Sequence, residues 1–232
     1  MLEDSLIQIA GVVDESEASM LQQRGVRYLG FPLRLAVHQE DLSEEAAAEL
    51  IRGLDPSVYG VLITYLNNAA EIAEFCHSLG VRIVQLHGNI DRNEIKQLKA
   101  LDPSLTVIKS LVIGLHDNKT LESMMDELSE HVDAFITDTF DPKTGASGAT
   151  GITHDWSVSH RLVELSERPV ILAGGLTPEN VRRAILAVKP AGVDSHTGVE
   201  DAAGRKSREK VGKFVGEAQA AFRMLKGIEV GL

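Results

Sequence analysis

Cysteine occurs once in these 232 residues, aromatic side chains make up only 4%, and no block of Lys and Arg interrupts a net charge of −11. Each shortage excludes something. A lone Cys76 cannot form an intramolecular disulfide, and within "IAEFCHSLG" it reads as a buried helix residue. An acidic balance without a basic cluster argues against a general nucleic-acid surface, which needs clustered cations. It leaves a small anionic ligand open, because backbone amides can hold one locally. No apolar run is long enough to span a bilayer, and no charged-then-apolar leader opens the chain. The expectation is a cytoplasmic protein with no membrane partner. No Pro/Gly/Ser-rich tract divides it, so residues 1–232 read as one domain.

What is present is a regular alternation. Short β-branched runs are placed at 6–12, 27–31, 59–65, 82–87, 106–113, 133–138, 169–174 and 192–196. Amphipathic segments fall between and after them, near 14–24, 43–53, 68–79, 91–101, 118–130, 157–166, 178–188 and 204–225. Ser43 before "EEAAAELI" and Pro178 after Thr177 mark helix starts, while Gly25 and Gly80 mark stops. Eight βα units in succession predict an α/β fold, a single closed (β/α)8 TIM barrel. An open doubly wound sheet is the alternative. In a barrel the chemistry sits at the C-terminal ends of the strands, which directs attention there.

Strand seven ends in "LAGGLTPENV" and strand eight in "DSHTGVED". Gly174, Gly175, Thr197 and Gly198 together read as an anion nest for a phosphate. Strand six ends in Asp138 behind apolar "AFIT", and a carboxylate there is costly unless paired or used. Asp141, its neighbour, reads as turn initiation before Pro142. The loop "TFDPKTGASGATGITHDW" has the glycines of a mobile lid. His87 ends strand four. Lys109 in "VIKS" would enter the barrel mouth if Ile108 faced the helices.

"VQLHG", "GATGITHDW", "VILAGGLTPENV" and "GVDSHTGVED" resemble the phosphoribosylanthranilate isomerase family, in order and over nearly the whole chain. The resemblance implies a (β/α)8 barrel, monomeric or homodimeric, that needs no metal or cofactor. It also implies a step of tryptophan biosynthesis: an N-glycosidic aminoaldose phosphate opens and becomes a 1-amino-1-deoxyketose. That reaction needs an acid for the ring oxygen and a base for the adjacent carbon. Asp138 matches the family's acid, the four loop residues match its phosphate site, and Asp194 matches an Asp of strand eight.

Two positions depart from the family. Its strand-one motif is Lys-Ile-Cys-Gly, whose Cys is the base, whereas this chain reads Gln8-Ile9-Ala10-Gly11. A methyl group abstracts no proton. His196, on the strand that neighbours strand one in a closed barrel, is the expected substitute, with His116 a weaker one. The family's basic residue after strand two, which helps hold the substrate's carboxylate, falls near Gln39 and Glu40, with Arg34 as a possible stand-in. The expected catalytic pair is therefore Asp138 and His196, with His87, Lys109 and Asp194 as substrate contacts. The rival expectations are another sugar-phosphate enzyme on the same scaffold (epimerase, aldolase or lyase) and a catalytically silent phosphometabolite-binding protein.

Overall fold

The computed structural model describes residues 2–35, 40–140, 151 and 153–227. In chain order the elements are β1 (Leu6–Ala10), α1 (Glu15–Gln23), β2 (Tyr28–Pro32), α2 (Glu44–Arg52), β3 (Tyr59–Thr64), α3 (Ala69–Leu79), β4 (Ile83–Leu86) and α4 (Arg92–Leu101). They continue with β5 (Thr106–Ile113), α5 (Asn118–Leu128), β6 (Ala134–Thr139), α6 (Trp156–Leu165), β7 (Val170–Leu172), α7 (Val181–Val188), β8 (Gly192–Ser195) and α8 (Arg208–Leu225). The strands run parallel, each beside its neighbour in sequence, and β8 pairs back onto β1 to close the barrel. The open-sheet alternative is thereby excluded.

Local chemistry explains the helix starts. Asp14, Ser43, Asn68, Asp91, Asp117, Asp155 and Ser207 each accept a hydrogen bond from a backbone N–H in the first turn of the following helix. Each such cap is worth about 1 kcal/mol. Gly80 closes α3 in the left-handed conformation, at φ 77°. Two boundaries differ from the sequence reading. The regular part of α7 starts at Val181 rather than Pro178, because Asn180 spends its side chain on Thr177 N and Gly175 O across the preceding turn. The eighth helix begins at Arg208, and a short 3-10 turn, Thr197–Val199, precedes it.

The core has two parts because strand side chains alternate. Outward-facing residues such as Ile9, Leu29, Val107 and Leu111 pack under the helices. Inward-facing Leu6, Ala10, Val61, Ile63, Ile108, Ile136 and Ile171 fill the barrel. Cys76 is buried in the outer layer, as expected, and burial pushes its thiol up to about 12. Among the described residues no helix is long and apolar enough to cross a membrane.

Candidate active site

The inward alternation decides which side chains reach the mouth. Ala10, Tyr65, Gln85, His87, Asp138, Asp194 and His196 line one cavity of about 430 Å³ at the C-terminal ends of the strands. A narrower cleft continues from Asp138 and Asp194 to Gly151, Gly174, Gly175, Thr197 and Gly198. The expected acid, the substitute base and the anion nest thus share one opening.

Asp138 and Asp194 form an electrostatic pair. Burial raises the Asp138 carboxyl, against the opposing pull of His87 and of the Thr139 N–H, which donates to Oδ1 at 2.7 Å. Asp194 is pushed up to about 7, first by burial and then by the charge of Asp138. Two carboxyls in one cleft do not both ionise readily, so the charge of either one raises the other. Beneath them, Gln8 Nε2 donates across the barrel to Gln85 Oε1 at 3.1 Å and floors the cavity. His87 Nδ1 meets Ser110 Oγ at 3.0 Å and lies 3.9 Å from Asp138 Oδ2, with the Tyr65 ring edge-on at 5.0 Å.

His196 projects inward beside β1. A Cβ built on Gly11 would stand 2.1 Å from its Nε2, so the imidazole lies against the backbone that follows Ala10. Glu200 Oε1 is 3.5 Å from the same nitrogen, and Lys206 pairs with Glu200 while also donating to His196 O at 3.3 Å. Buried Glu17 ties the loops after β1 and β8 together by accepting from Val13 N, Lys206 N and Arg205 Nε. These contacts hold the ring in place from the loop side.

The nest is built by backbone geometry. Gly174 and Gly175 have φ of 99° and 63°, which β-carbon-bearing residues seldom adopt. A Cβ on Gly198 would fall 1.9 Å from Leu176 O. Ser195 Oγ donates to that same carbonyl at 2.8 Å and locks loops seven and eight together. Gly151, from the loop after β6, closes the third side, 3.4 Å from Thr197 Oγ1 as measured from a built Cβ. The cleft's described lining carries no Lys or Arg; the groups there that could donate to an anion are backbone N–H groups, the Ser195 and Thr197 hydroxyls and His196.

Several expectations need correction. Lys109 does not enter the mouth. Ile108 belongs to the barrel interior, so Lys109 faces the helices. Its Nζ donates to Leu86 O, Gly88 O and Ser110 O at 3.2, 3.1 and 2.9 Å. Arg34 offers no stand-in cation, because Glu44 and Glu71 take its guanidinium over the Phe75 ring. Glu40 accepts from the Arg34 backbone. His116 is exposed beside α5, away from the mouth cavity. Gln39, Asp141 and most of the expected lid lie outside the described residues.

The sequence reading missed Gln8, Gln85, Tyr65, Gly151, Glu200 and Lys206. The first two carried a usable signal, since each sits two residues before an expected mouth position, Ala10 and His87. Among the described residues no group of three or more His, Cys, Asp or Glu side chains is arranged to hold a metal ion.

The family model for N-(5'phosphoribosyl)anthranilate (PRA) isomerase matches residues 7–217. The N-(5'-phosphoribosyl)anthranilate isomerase 2 of Methanosarcina mazei is 37% identical over 229 residues, covering 97% of this chain and 98% of that one. The isomerase of Haloferax volcanii is 32% identical over 216 residues, 93% of each chain. Among solved structures, phosphoribosyl anthranilate isomerase from Thermotoga maritima superposes with a TM-score of 0.79 at 27% identity, covering 93% of this chain and 99% of that one.

Proposed function

The chain belongs to the N-(5'phosphoribosyl)anthranilate (PRA) isomerase family, and we propose that it runs the family's isomerisation with Asp138 as general acid and His196 as general base. It is an isomerase of the phosphoribosylanthranilate isomerase type. The rival sugar-phosphate activities and the silent binding protein are not favoured, because the isomerase name runs through relatives that match almost end to end.

The observation that carries the assignment of the base is the seat of His196, against Gly11 and beside Ala10, in the cavity that Asp138 also lines. The substrate phosphate sits on the backbone of Gly174, Gly175, Thr197 and Gly198. Its dianion lies beside Asp138, and a nearby negative charge favours the protonated carboxyl. Asp138 gives that proton to the sugar ring oxygen as the bond from the anomeric carbon to that oxygen breaks. The nitrogen lone pair forms the C=N bond of an open iminium. His196 then removes the proton from the neighbouring carbon, and the electron pair moves to neutralise the iminium nitrogen. The resulting enolamine tautomerises to the 1-amino-1-deoxyketose. Atoms balance within one molecule, with no net oxidation.

Asp194, whose carboxyl is pushed up to about 7 by burial and by the charge of Asp138, lies beside the reacting sugar in the same cleft. His87 orients Asp138. The same reading makes this a cytoplasmic enzyme, monomeric or homodimeric, whose partner is a small phosphorylated sugar and not a nucleic acid.

The test is fluorescence decay of freshly made phosphoribosylanthranilate with the purified protein, Asp138→Asn and His196→Ala. General acid–base groups contribute roughly 10²–10⁴-fold, so each variant should lose about that much kcat. Turnover that survives His196→Ala removes the base from the scheme. No turnover by the wild-type protein removes the substrate.

A further inference from the structure

Lys109 is a buried cation that the reaction above does not use. It is 3% exposed and lies on the helix-facing side of β5. Burial, with no carboxylate to offset it, pulls its ammonium down to about 8. An uncompensated ammonium in an apolar layer is unfavourable unless its donors are all engaged. Here three carbonyls engage them.

The identity of those carbonyls is informative. Leu86 O and Gly88 O belong to the residues on either side of His87. The third belongs to Ser110, whose hydroxyl meets His87 Nδ1 at 3.0 Å. One cation outside the barrel wall therefore grips the backbone on both sides of an imidazole inside it, and also grips that imidazole's hydrogen-bond partner. Gly88 is held from the other direction, since a Cβ there would come within 2.9 Å of Tyr65 O. The neighbouring charged and titratable groups are Asp91, Arg92, His116 and Glu127, which line a cavity of about 580 Å³ beside Lys109, together with His87 itself.

We propose that Lys109 is a positioning residue: through the carbonyls of residues 86, 88 and 110 it fixes the His87 imidazole, and through His87 the proton on Asp138. The proposal rests on the reading of Asp138 as the general acid. A strand of backbone held by three charge-assisted bonds is stiffer than one held by the sheet ladder alone. Displacement of a supporting group by about 1 Å can cost up to about 10²-fold in rate.

The experiment compares Lys109→Met, Ser110→Ala and the unaltered protein. Three quantities are read: the imidazole chemical shifts of His87, the split between kcat and KM on phosphoribosylanthranilate, and the alkaline limb of the pH–rate profile. Lys109→Met should move the His87 resonances, lower kcat roughly 10- to 100-fold with KM within about twofold, and displace the alkaline limb. A folded Lys109→Met protein with unmoved His87 shifts and an unmoved limb overturns the proposal, whatever its melting temperature. Should that variant fail to fold, Ser110→Ala decides. It cuts the last link alone, and unchanged His87 shifts and kcat in it overturn the proposal equally. If the wild-type protein turns over nothing while Lys109→Met still moves the His87 resonances, the positioning role stands and the assigned reaction does not.

Discussion

The Nε2 of His196 occupies the space that a Cβ at position 11 would need, 2.1 Å from where that carbon would stand. Glycine at 11 and histidine at 196 therefore fit together, one side chain missing so that the other can lie across β1. The left-handed backbone of Gly11, at φ 76°, restricts that position independently.

Gly11→Ala separates seat from chemistry. The added methyl forces the imidazole away from Ala10 and costs about 1–2 kcal/mol of backbone strain. The expected outcome is a folded protein whose kcat falls by roughly 10²-fold while inorganic phosphate still raises its melting temperature. Retained kcat would mean that the ring's resting position is irrelevant to turnover.

Restoring a thiol tests the relocation of the base. Ala10 faces into the barrel, and its surroundings are tight: a Cβ on Gly30 would lie 3.0 Å from the Ala10 Cβ. In a His196→Ala background, Ala10→Cys should recover at least about tenfold of the lost kcat, with an activity that rises with pH as the thiol ionises. No recovery, with the fold intact, would place the missing function elsewhere in the mouth.

The carboxylate pair makes both activity and stability depend on pH. An acid must hold its proton, and burial raises the Asp138 carboxyl, so kcat should fall on the alkaline side as that carboxyl ionises. For stability, Asp194 in the folded chain keeps its proton up to about 7, whereas an ordinary carboxyl releases it near 3.8. Its contribution is full below the lower value and is lost as pH rises through the higher one. Asp194→Asn should thus stabilise the protein more at pH 8 than at pH 5, by on the order of 2–3 kcal/mol in urea denaturation. An equal effect at the two pH values would show that Asp194 is not held protonated.

Gly198→Ala targets the nest. Its methyl would overlap Leu176 O, the carbonyl to which Ser195 Oγ also donates, and so push loops seven and eight apart. Phosphate should no longer raise the melting temperature, and KM for phosphoribosylanthranilate should rise by about tenfold or more. Unchanged phosphate protection would move the anion site off these loops.

The sequence alone determined the succession of eight βα units, because alternation of β-branched runs with capped amphipathic segments is a local property that the helix starts at Asp14, Ser43 and Asn68 write out residue by residue, whereas the pairing of β8 with β1 decided the barrel over an open sheet. It also marked the glycines of loops seven and eight: Gly174 and Gly175 hold positive φ, and Gly198 has no room for a Cβ beside Leu176 O. The loss of the expected base at Ala10 was equally legible, a methyl having no proton to exchange. What it left open was which way a given side chain faces and what each finds there. A one-residue choice of register set Ile108 inside and Lys109 outside, and turned an expected mouth cation into a clamp behind the wall. Arg34 had two carboxylates waiting, Glu44 and Glu71, one of them 37 residues away. The seat of His196 over Gly11 exists only once β8 has closed onto β1, because parallel pairing across the barrel seam brings the two ends of the chain together.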